Sequence, residues 1–486
     1  MAERPTRPIS LRLRSSEHRT ILFVGDLIAA SLAGIGAYYS WLGYAWYKLI
    51  ASGIPPLRAM KFFPSADVPF WFYVLPLVWV VFLVELYDPR VSSHRGLTLR
   101  GILLSAILGL MLYSLFFIFS SNAKSFESLP RVLVGAFLLI ASLLTLLWRL
   151  LYIRLYTSSG LQRRILVVGA GKAGRTLARL YKSMNPPPFH FIGFIDDDRE
   201  KAGKTYEGYP VFGNSDRLLQ TLEEQRVSDI VIGIMGAMRG ITFQRILDAQ
   251  ESGVEIIPMP TMYEEMTGRV PIQHLDSDWL IRSFVDQARV SGFYEMFKRL
   301  LDIVGGLAGL ALLCILFPFI APAIVIDSGF PIFYTQSRFG RGGRIFNIRK
   351  FRTMFKDAEV DGKPRLATEN DPRVTRVGNF LRKTRLDELP QFWNVVNGEM
   401  SLVGPRAERP ELVAEFQRQI PFYRARLLTK PGLTGWAQIN YGYVANVTET
   451  AVKLEYDLYY IKHRTLMMDI QIVLRTIGTV VRAGGR

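Results

Sequence analysis

Four apolar runs dominate the first third of the chain, at about residues 21–39, 69–86, 101–119 and 132–151. Each is about long enough to span a bilayer as a helix. Such runs leave little freedom. In hydrocarbon every backbone N–H and C=O must be bonded within the protein, and unbroken runs of this length do that as helices. The first run follows a basic, polar tail, MAERPTRPISLRLRSSEHR. Alone it would pass for a signal peptide; the runs behind it make it a first membrane helix. Five arginines precede it, Arg90, Arg95 and Arg100 lie between the second and third runs, and Arg154, Arg163 and Arg164 follow the fourth. The other two loops hold Lys48, Arg58 and Lys61, then Lys124 and Arg131. The positive-inside rule therefore puts the N-terminus and the exit from the fourth helix in the cytoplasm. Asp26, within the first run, is expected to face the bundle interior. A proton or substrate path there is the lesser reading, because no second charge within the membrane is assigned to meet it.

A fifth apolar run, residues 300–326, is long enough to span but reads differently. It carries Asp302 near its start and Pro318 and Pro322 beyond its apolar centre. Lys298 and Arg299 precede it, and Arg338, Arg341, Arg344, Arg349 and Lys350 follow it. Both flanks belong in the cytoplasm, so the segment is expected to be a re-entrant helix broken at Pro318. A plain span would leave a strongly basic C-terminal region outside.

Between the two membrane regions lies a soluble block. It opens on RRILVVGAGKAGRTLARLY, where a β-rich run at 165–168 meets Gly169, Gly171 and Gly174 and then a helical pattern. This is the G-x-G-x-x-G order of strand, tight turn and helix that cradles a pyrophosphate in dinucleotide folds. A second strand, 189–195, ends at Asp196, the position where such folds hold a ribose hydroxyl. Further strands fit 229–234 and 254–258. The same glycines also serve helix–strand packing, so a regulatory or assembly module without a ligand is the plainer reading, and nucleotide binding the sharper one. No Walker A sequence is present.

The chain of 486 residues has a net charge of +17. With this much membrane, that charge points to anionic headgroups and anionic substrates rather than nucleic acid. Basic residues between Arg338 and Lys350 are placed to hold a domain on such headgroups. The lone cysteine, Cys314, excludes an internal disulfide, and the histidines are too scattered for a zinc motif.

The chemistry concentrates after the fifth run. The stretch RKTRLDELPQFWNVVNGEMSLVGP at 382–405 sets Asp387 and Glu388 side by side at the start of a helical pattern, with Arg382, Lys383 and Arg385 just before them. A bare acid pair at a helix start is first a cap and an exposed neighbour. Beside cations, it is also a carboxylate kept ionised, able to attack phosphorus where a metal shields the phosphate, with the second acid free to hold that metal. Around it stand YTQSRFGRGGRIFNIRKFRTM at 334–354, VGPR at 403–406, KPGLTGWAQINYG at 430–442 and YDLYYIKHRTLMMDIQIVLRTI at 456–477.

These motifs resemble, over about residues 297–486, the bacterial sugar transferases that move hexose 1-phosphate from a UDP-sugar to polyprenyl phosphate and release UMP. The four preceding helices and the Rossmann-like block resemble the large form of that family, of the undecaprenyl-phosphate galactose or glucose phosphotransferase type, which begins O-antigen, capsule or exopolysaccharide units. The resemblance implies that Asp387 is the nucleophile that takes the phospho-sugar covalently. It implies that Glu388 binds Mg²⁺ (or Mn²⁺), and that Lys350, Arg352, Arg382 and Arg406 serve the substrate phosphates. Asp457 matches a further polar position near the site. Ala407 departs from the family, which usually has proline there, and puts the stiffness of the Arg406 loop in doubt.

The expected architecture is that of a multi-pass protein of the bacterial inner membrane with α and α/β parts. It comprises a tail and four-helix transmembrane bundle (1–155), a Rossmann-like cytosolic domain (161–291), a re-entrant helix (295–328) and a mainly helical, membrane-associated catalytic domain (329–486). Its expected partners are a UDP-hexose, undecaprenyl phosphate and anionic lipids. A homodimer is allowed, though no heptads demand one. Two rivals remain: a non-catalytic scaffold of polysaccharide assembly, and a membrane-bound nucleotide-sugar dehydratase or epimerase. The second needs a catalytic Tyr-x-x-x-Lys in a second dinucleotide domain. Tyr294 and Lys298 have that spacing, but no glycine fingerprint follows them.

Overall fold

A computed structural model describes residues 15–53, 71–121, 131–156, 162–185, 187–236, 238, 240–275, 291–355, 371–442 and 446–481. The basic tail before Ser15 lies outside these residues. Packing divides the chain into two units, Met1–Gly233 with Met238–Ile257, and Ile234–Ala237 with Pro258–Arg486.

In the first unit the membrane bundle is built from α1 (Ser15–Ala51), α2 (Trp71–Phe82), α3 (Arg95–Ser121) and α4 (Arg131–Tyr156). α1, α3 and α4 are long and apolar enough to cross a membrane. α2 covers 12 described residues, contains Pro76, and gives way to a 3₁₀ turn at Val84–Tyr87. α1 lies along α4 through a seam of small residues. Ala30, Ala33 and Ala37 recur at helical spacing and are wholly buried. At Gly25 a Cβ would come within 2.2 Å of the Trp148 ring, so only glycine lets these two helices approach so closely.

Asp26 faces the interior as expected, and it has a charged partner that the sequence reading did not assign. Arg149 of α4 binds it through both Nη2–Oδ2 (2.5 Å) and Nε–Oδ1 (3.3 Å) and donates Nη1 to the Leu86 carbonyl at 2.7 Å. Both side chains are fully buried. Each of the three guanidinium nitrogens thus has an acceptor, which is what a charge at this depth requires.

The α/β block carries a sheet of β1 (Arg164–Val168), β2 (His190–Ile195), β3 (Asp229–Ile232) and β4 (Glu255–Pro258) in the order β2-β1-β3-β4. β1 pairs in parallel with β2 on one side and β3 on the other, so the chain reverses direction of winding beside β1. α5 (Lys172–Lys182) follows the glycine turn and packs its Ala173, Gly174, Leu177 and Ala178 inward.

The second unit starts earlier than the sequence suggested. α8 (Met259–Thr267), which follows α6 (Leu218–Glu224) and α7 (Gly240–Glu251) in the chain, belongs to it, as do Val270 and Ile272, which are core residues of the catalytic domain. The expected boundary at 291 is therefore moved to Pro258. The reason is local: Glu264 of α8 accepts from Lys462 (2.9 Å) and His463 (2.7 Å), and the Gly268 carbonyl accepts from Trp436 Nε1 at 2.8 Å. A polar, loop-like segment is held by bonds to groups more than 160 residues away.

The fifth apolar run forms α9 (Gly292–Ser328), 37 residues in length. The helix continues through both Pro318 and Pro322, so it does not end at Pro318 as the sequence suggested. Each proline removes one N–H and crowds one carbonyl, a local cost that a helix packed on a domain absorbs without ending. Three polar residues on its first turns fasten it. Lys298 Nζ donates to the Val403 carbonyl (3.0 Å) and Asp469 (3.0 Å). Arg299 donates to the carbonyls of Val395 (2.9 Å) and Val396 (2.6 Å). Asp302 accepts from Leu402 N (2.8 Å) and Ser401 Oγ (2.9 Å). At the far end Ile320 and Ile324 pack against Phe351, Leu381 and Leu389. A single domain thus holds both ends of α9.

Candidate active site

Two antiparallel strands, β5 (Phe333–Phe339) and β6 (Ile345–Phe351), carry the first cations. α10 (Arg376–Lys383) runs toward the acid pair, and its N-cap Thr375 accepts from Gly378 N at 2.9 Å. Arg385 then turns the chain in the left-handed region (φ 56°) into a 3₁₀ segment, Leu386–Gln391, and the short helix α11 (Phe392–Val396). A non-glycine residue there costs on the order of 1 kcal/mol and persists only where surroundings hold it. The expected capping role is corrected: Asp387 and Glu388 sit inside the 3₁₀ turn, and both are buried. The apolar residues of DELPQFW set this geometry, with Leu389 locked into the cluster under α9.

Glu388 is clamped. Its Oε1 accepts from Lys350 Nζ at 2.9 Å and Arg406 Nη2 at 2.8 Å, while among the described residues its Oε2 has only Arg385, at 3.9 Å. Burial works against its charge, but Arg406 and Lys350 outweigh burial and hold the carboxyl well below its usual range. Asp387 differs. Its carboxylate takes no hydrogen bond from a described residue, and burial pushes its pKa up to about 6 against the opposing pull of Lys350, with Glu388 adding to the rise. The neighbours thus have separate states: Glu388 is a fixed anion, and Asp387 is ionised at neutral pH but unencumbered.

Four of the seven expected catalytic and phosphate-binding residues therefore meet: Asp387, Glu388, Lys350 and Arg406. Arg382 stands close enough to bias Asp387 electrostatically and donates Nε to Thr353 Oγ1 at 2.9 Å. Arg352 goes elsewhere. It is buried at the end of α9, where Nη2 donates to the Ser328 carbonyl (2.7 Å), to Ser328 Oγ (2.9 Å) and to the Gly329 carbonyl. It neutralises a helix C-terminus, a role its place in the KFRTM motif did not announce. Asp457 is also set back from the acid pair: it binds Arg426 at 2.9 Å. No sequence signal pointed to Arg426, which has no neighbour in the chain to mark it.

Among the described residues Glu388 Oε2 has no partner nearer than Arg385, and the Asp387 carboxylate beside it takes no hydrogen bond. That donor set suits a hard cation completed by substrate phosphates, which needs only one or two protein carboxylates. Among the described residues no group of three metal-binding side chains gathers.

In the α/β block, Gly169 takes φ 108°, and a Cβ at Gly174 would meet the Gly169 carbonyl at 2.1 Å, whereas Gly171 faces open space. Asp196 is already engaged: it accepts from Ala170 N (2.7 Å), Asp198 N (2.9 Å) and Lys201 Nζ (3.1 Å). The acid ties the glycine turn rather than standing free. Tyr294 and Lys298 both bind Asp469, at 2.9 and 3.0 Å, within a buried cluster, so their dehydratase-like spacing has a structural use.

The family model for bacterial sugar transferases matches residues 293–483, and that for a CoA-binding domain matches 83–250. Among curated relatives, the UDP-N-acetylgalactosamine-undecaprenyl-phosphate N-acetylgalactosaminephosphotransferase of Aeromonas hydrophila is 42% identical over 222 residues, 46% of this chain and 51% of that protein. The UDP-glucose:undecaprenyl-phosphate glucose-1-phosphate transferase of Escherichia coli K12 is 32% identical over 65% of this chain and 67% of that protein. The UDP-galactose-lipid carrier transferase of Erwinia amylovora is 30% identical over 67% and 69%. The alignment thus spans about half of the first relative and about two thirds of the other two. The matched region contains the acid pair and its clamping cations, and by these matches the chain belongs to the bacterial sugar transferase family.

Proposed function

We propose that this protein transfers hexose 1-phosphate from a UDP-hexose to undecaprenyl phosphate at the cytoplasmic face of a bacterial inner membrane, as a first membrane step of polysaccharide synthesis. The observation that carries the reading is the division of labour in the dyad: Glu388 pinned by Lys350 and Arg406, Asp387 unbonded and ionisable near pH 6. Asp387 attacks the phosphorus that bears the sugar. The bond from that phosphorus to the UMP oxygen breaks, and UMP leaves with the electron pair. A phosphate oxygen of the lipid then attacks the same phosphorus and returns Asp387 as a carboxylate, so no proton need be gained or lost. Lys350, Arg382 and Arg406 supply the charge that phosphoryl transfer needs and the geometry of a fork suited to phosphate oxygens. Mg²⁺, held by Glu388 Oε2 together with donor phosphates, would add charge neutralisation when bound.

One site serves a soluble donor and a lipid acceptor if it sits at the interface. Support comes from α9, whose first turns and last turns both pack on the catalytic domain, as a helix entering and leaving on one side would. The α/β block is read as Rossmann-like, with its ribose-binding acid diverted to the glycine turn.

The test is UMP release by purified protein given undecaprenyl phosphate, Mg²⁺ and a panel of UDP-sugars. Release with one sugar, requiring both the lipid and Asp387, supports the reading and names the donor. Release that survives Asp387→Asn overturns the assigned nucleophile, and silence across the panel from folded protein overturns the activity.

A further inference from the structure

We infer that Arg426, anchored by Asp457 and Tyr423, is a positioning residue: it holds the backbone of Arg406 so that the Arg406 guanidinium meets Glu388. This deepens the proposed transfer reaction and rests on it for its kinetic consequence. Arg426 is buried, and its Nη2 donates to the Arg406 carbonyl (3.1 Å) and to Asp457 Oδ2 (2.9 Å). Its Nη1 donates to Tyr423 OH (2.8 Å) and lies 3.4 Å from Glu408 Oε1, which also accepts from Lys453 at 3.0 Å. Nothing in this group bonds the acid pair directly. It acts through the loop between them.

That loop is bonded at each step. The Pro405 carbonyl accepts from Gly432 N (2.9 Å), Arg406 from Arg426, Ala407 from Arg338 Nη1 (3.1 Å) and Glu408 from Phe339 N (3.1 Å). Two of the four donors are backbone amides from neighbouring segments. The other two are arginine side chains, at the very residue whose side chain must be aimed and the one after it. A carbonyl at Arg406 fixed from behind leaves the guanidinium free to point forward. Ala407 imposes no φ of its own, so the arginine bonds fix what the residue does not. A buried cluster of this kind is a poor source of net stability, since desolvation offsets most of its attraction. Its use is geometric, and an ångström of misplacement near a reacting centre costs about 100-fold in rate.

The test uses the full-length protein in detergent or nanodiscs. Amide exchange read by mass spectrometry on Arg426→Lys should show faster exchange in peptides covering 402–409 and 430–435, with α9 unchanged. UMP release gives the second readout. Arg426→Lys should lower kcat about 10- to 100-fold with KM for the donor little changed. Arg406→Ala should lower it further, and the double variant should match Arg406→Ala alone, because both act through one contact. Losses that multiply, or exchange unchanged in both peptides, overturn the inference. If Arg426→Lys does not fold, Asp457→Asn carries the same cycle. If wild-type protein releases no UMP, the transfer reading fails while the exchange experiment still decides the loop.

Discussion

At the scale of single residues, the dyad predicts a pH profile. Burial raises the Asp387 pKa to about 6, so the attacking carboxylate is lost as pH falls through that value, and UMP release should drop tenfold per pH unit below it. The same shift has a stability cost. A carboxyl raised from 3.8 to about 6 binds its proton more tightly folded than unfolded, so stability declines as pH rises from about 4 to 6 and stays low above. Asp387→Asn should therefore abolish transfer yet raise Tm at pH 7.5, by on the order of 2 kcal/mol in stability, with the gain gone below pH 4. An unchanged Tm across that range would deny the strained charge. The acid pair was legible in the sequence because its flanking cations are adjacent to it. Arg426 was not: its partner Asp457 lies 31 positions away, and the two arginines of YRARLL carry no local signature that marks one of them. Arg352 could not be placed from the sequence for the opposite reason: a motif neighbour of Lys350 at the same strand end turns its Nη2 toward the α9 terminus.

At the scale of elements, the strands and glycine turn of the α/β block were readable to within a few residues, because short apolar β-rich runs and the G-x-G-x-x-G spacing are local signals. The membership of α8 was not, because its reason lies in Trp436, Lys462 and His463. A protein beginning at residue 293 loses Val270 and Ile272 from the core and the acceptor of Trp436. It should unfold at a lower temperature than one beginning at 258, and equal melting would show that the strap adds nothing. α9 offers a sharper prediction. Asp302→Ala leaves the amide of Leu402 and the hydroxyl of Ser401 buried without their acceptor, a cost of about 1–3 kcal/mol. Thermal shifts of Asp302→Ala and Asp302→Asn, the latter keeping an acceptor oxygen, separate that loss from a loss of charge.

At the scale of the whole molecule, the topology of α9 can be read chemically, since Cys314 is the chain's one cysteine. In a Cys314→Ser background, single cysteines at exposed Met296, in the first turns of α9, and at exposed Phe330, just past its end, report on its two ends. Both should resist a membrane-impermeant thiol reagent applied to intact spheroplasts and react after permeabilisation. Labelling of Phe330→Cys from outside would make α9 a simple span. The buried pair in the bundle bears on a different matter, the order of synthesis. Asp26 meets Arg149 across 123 positions of chain. At about 5–20 residues per second, the ribosome needs roughly 6–25 s to deliver the arginine after the aspartate. For that interval the first helix carries an unmatched charge, worth about 2.5–3.5 kcal/mol against lying in lipid. The first helix is therefore the one least ready to leave the insertion machinery, and the fourth is the one that releases it. A nascent chain cut before Arg149 bears an open carboxylate in its membrane segment, a charge that only the complete bundle matches.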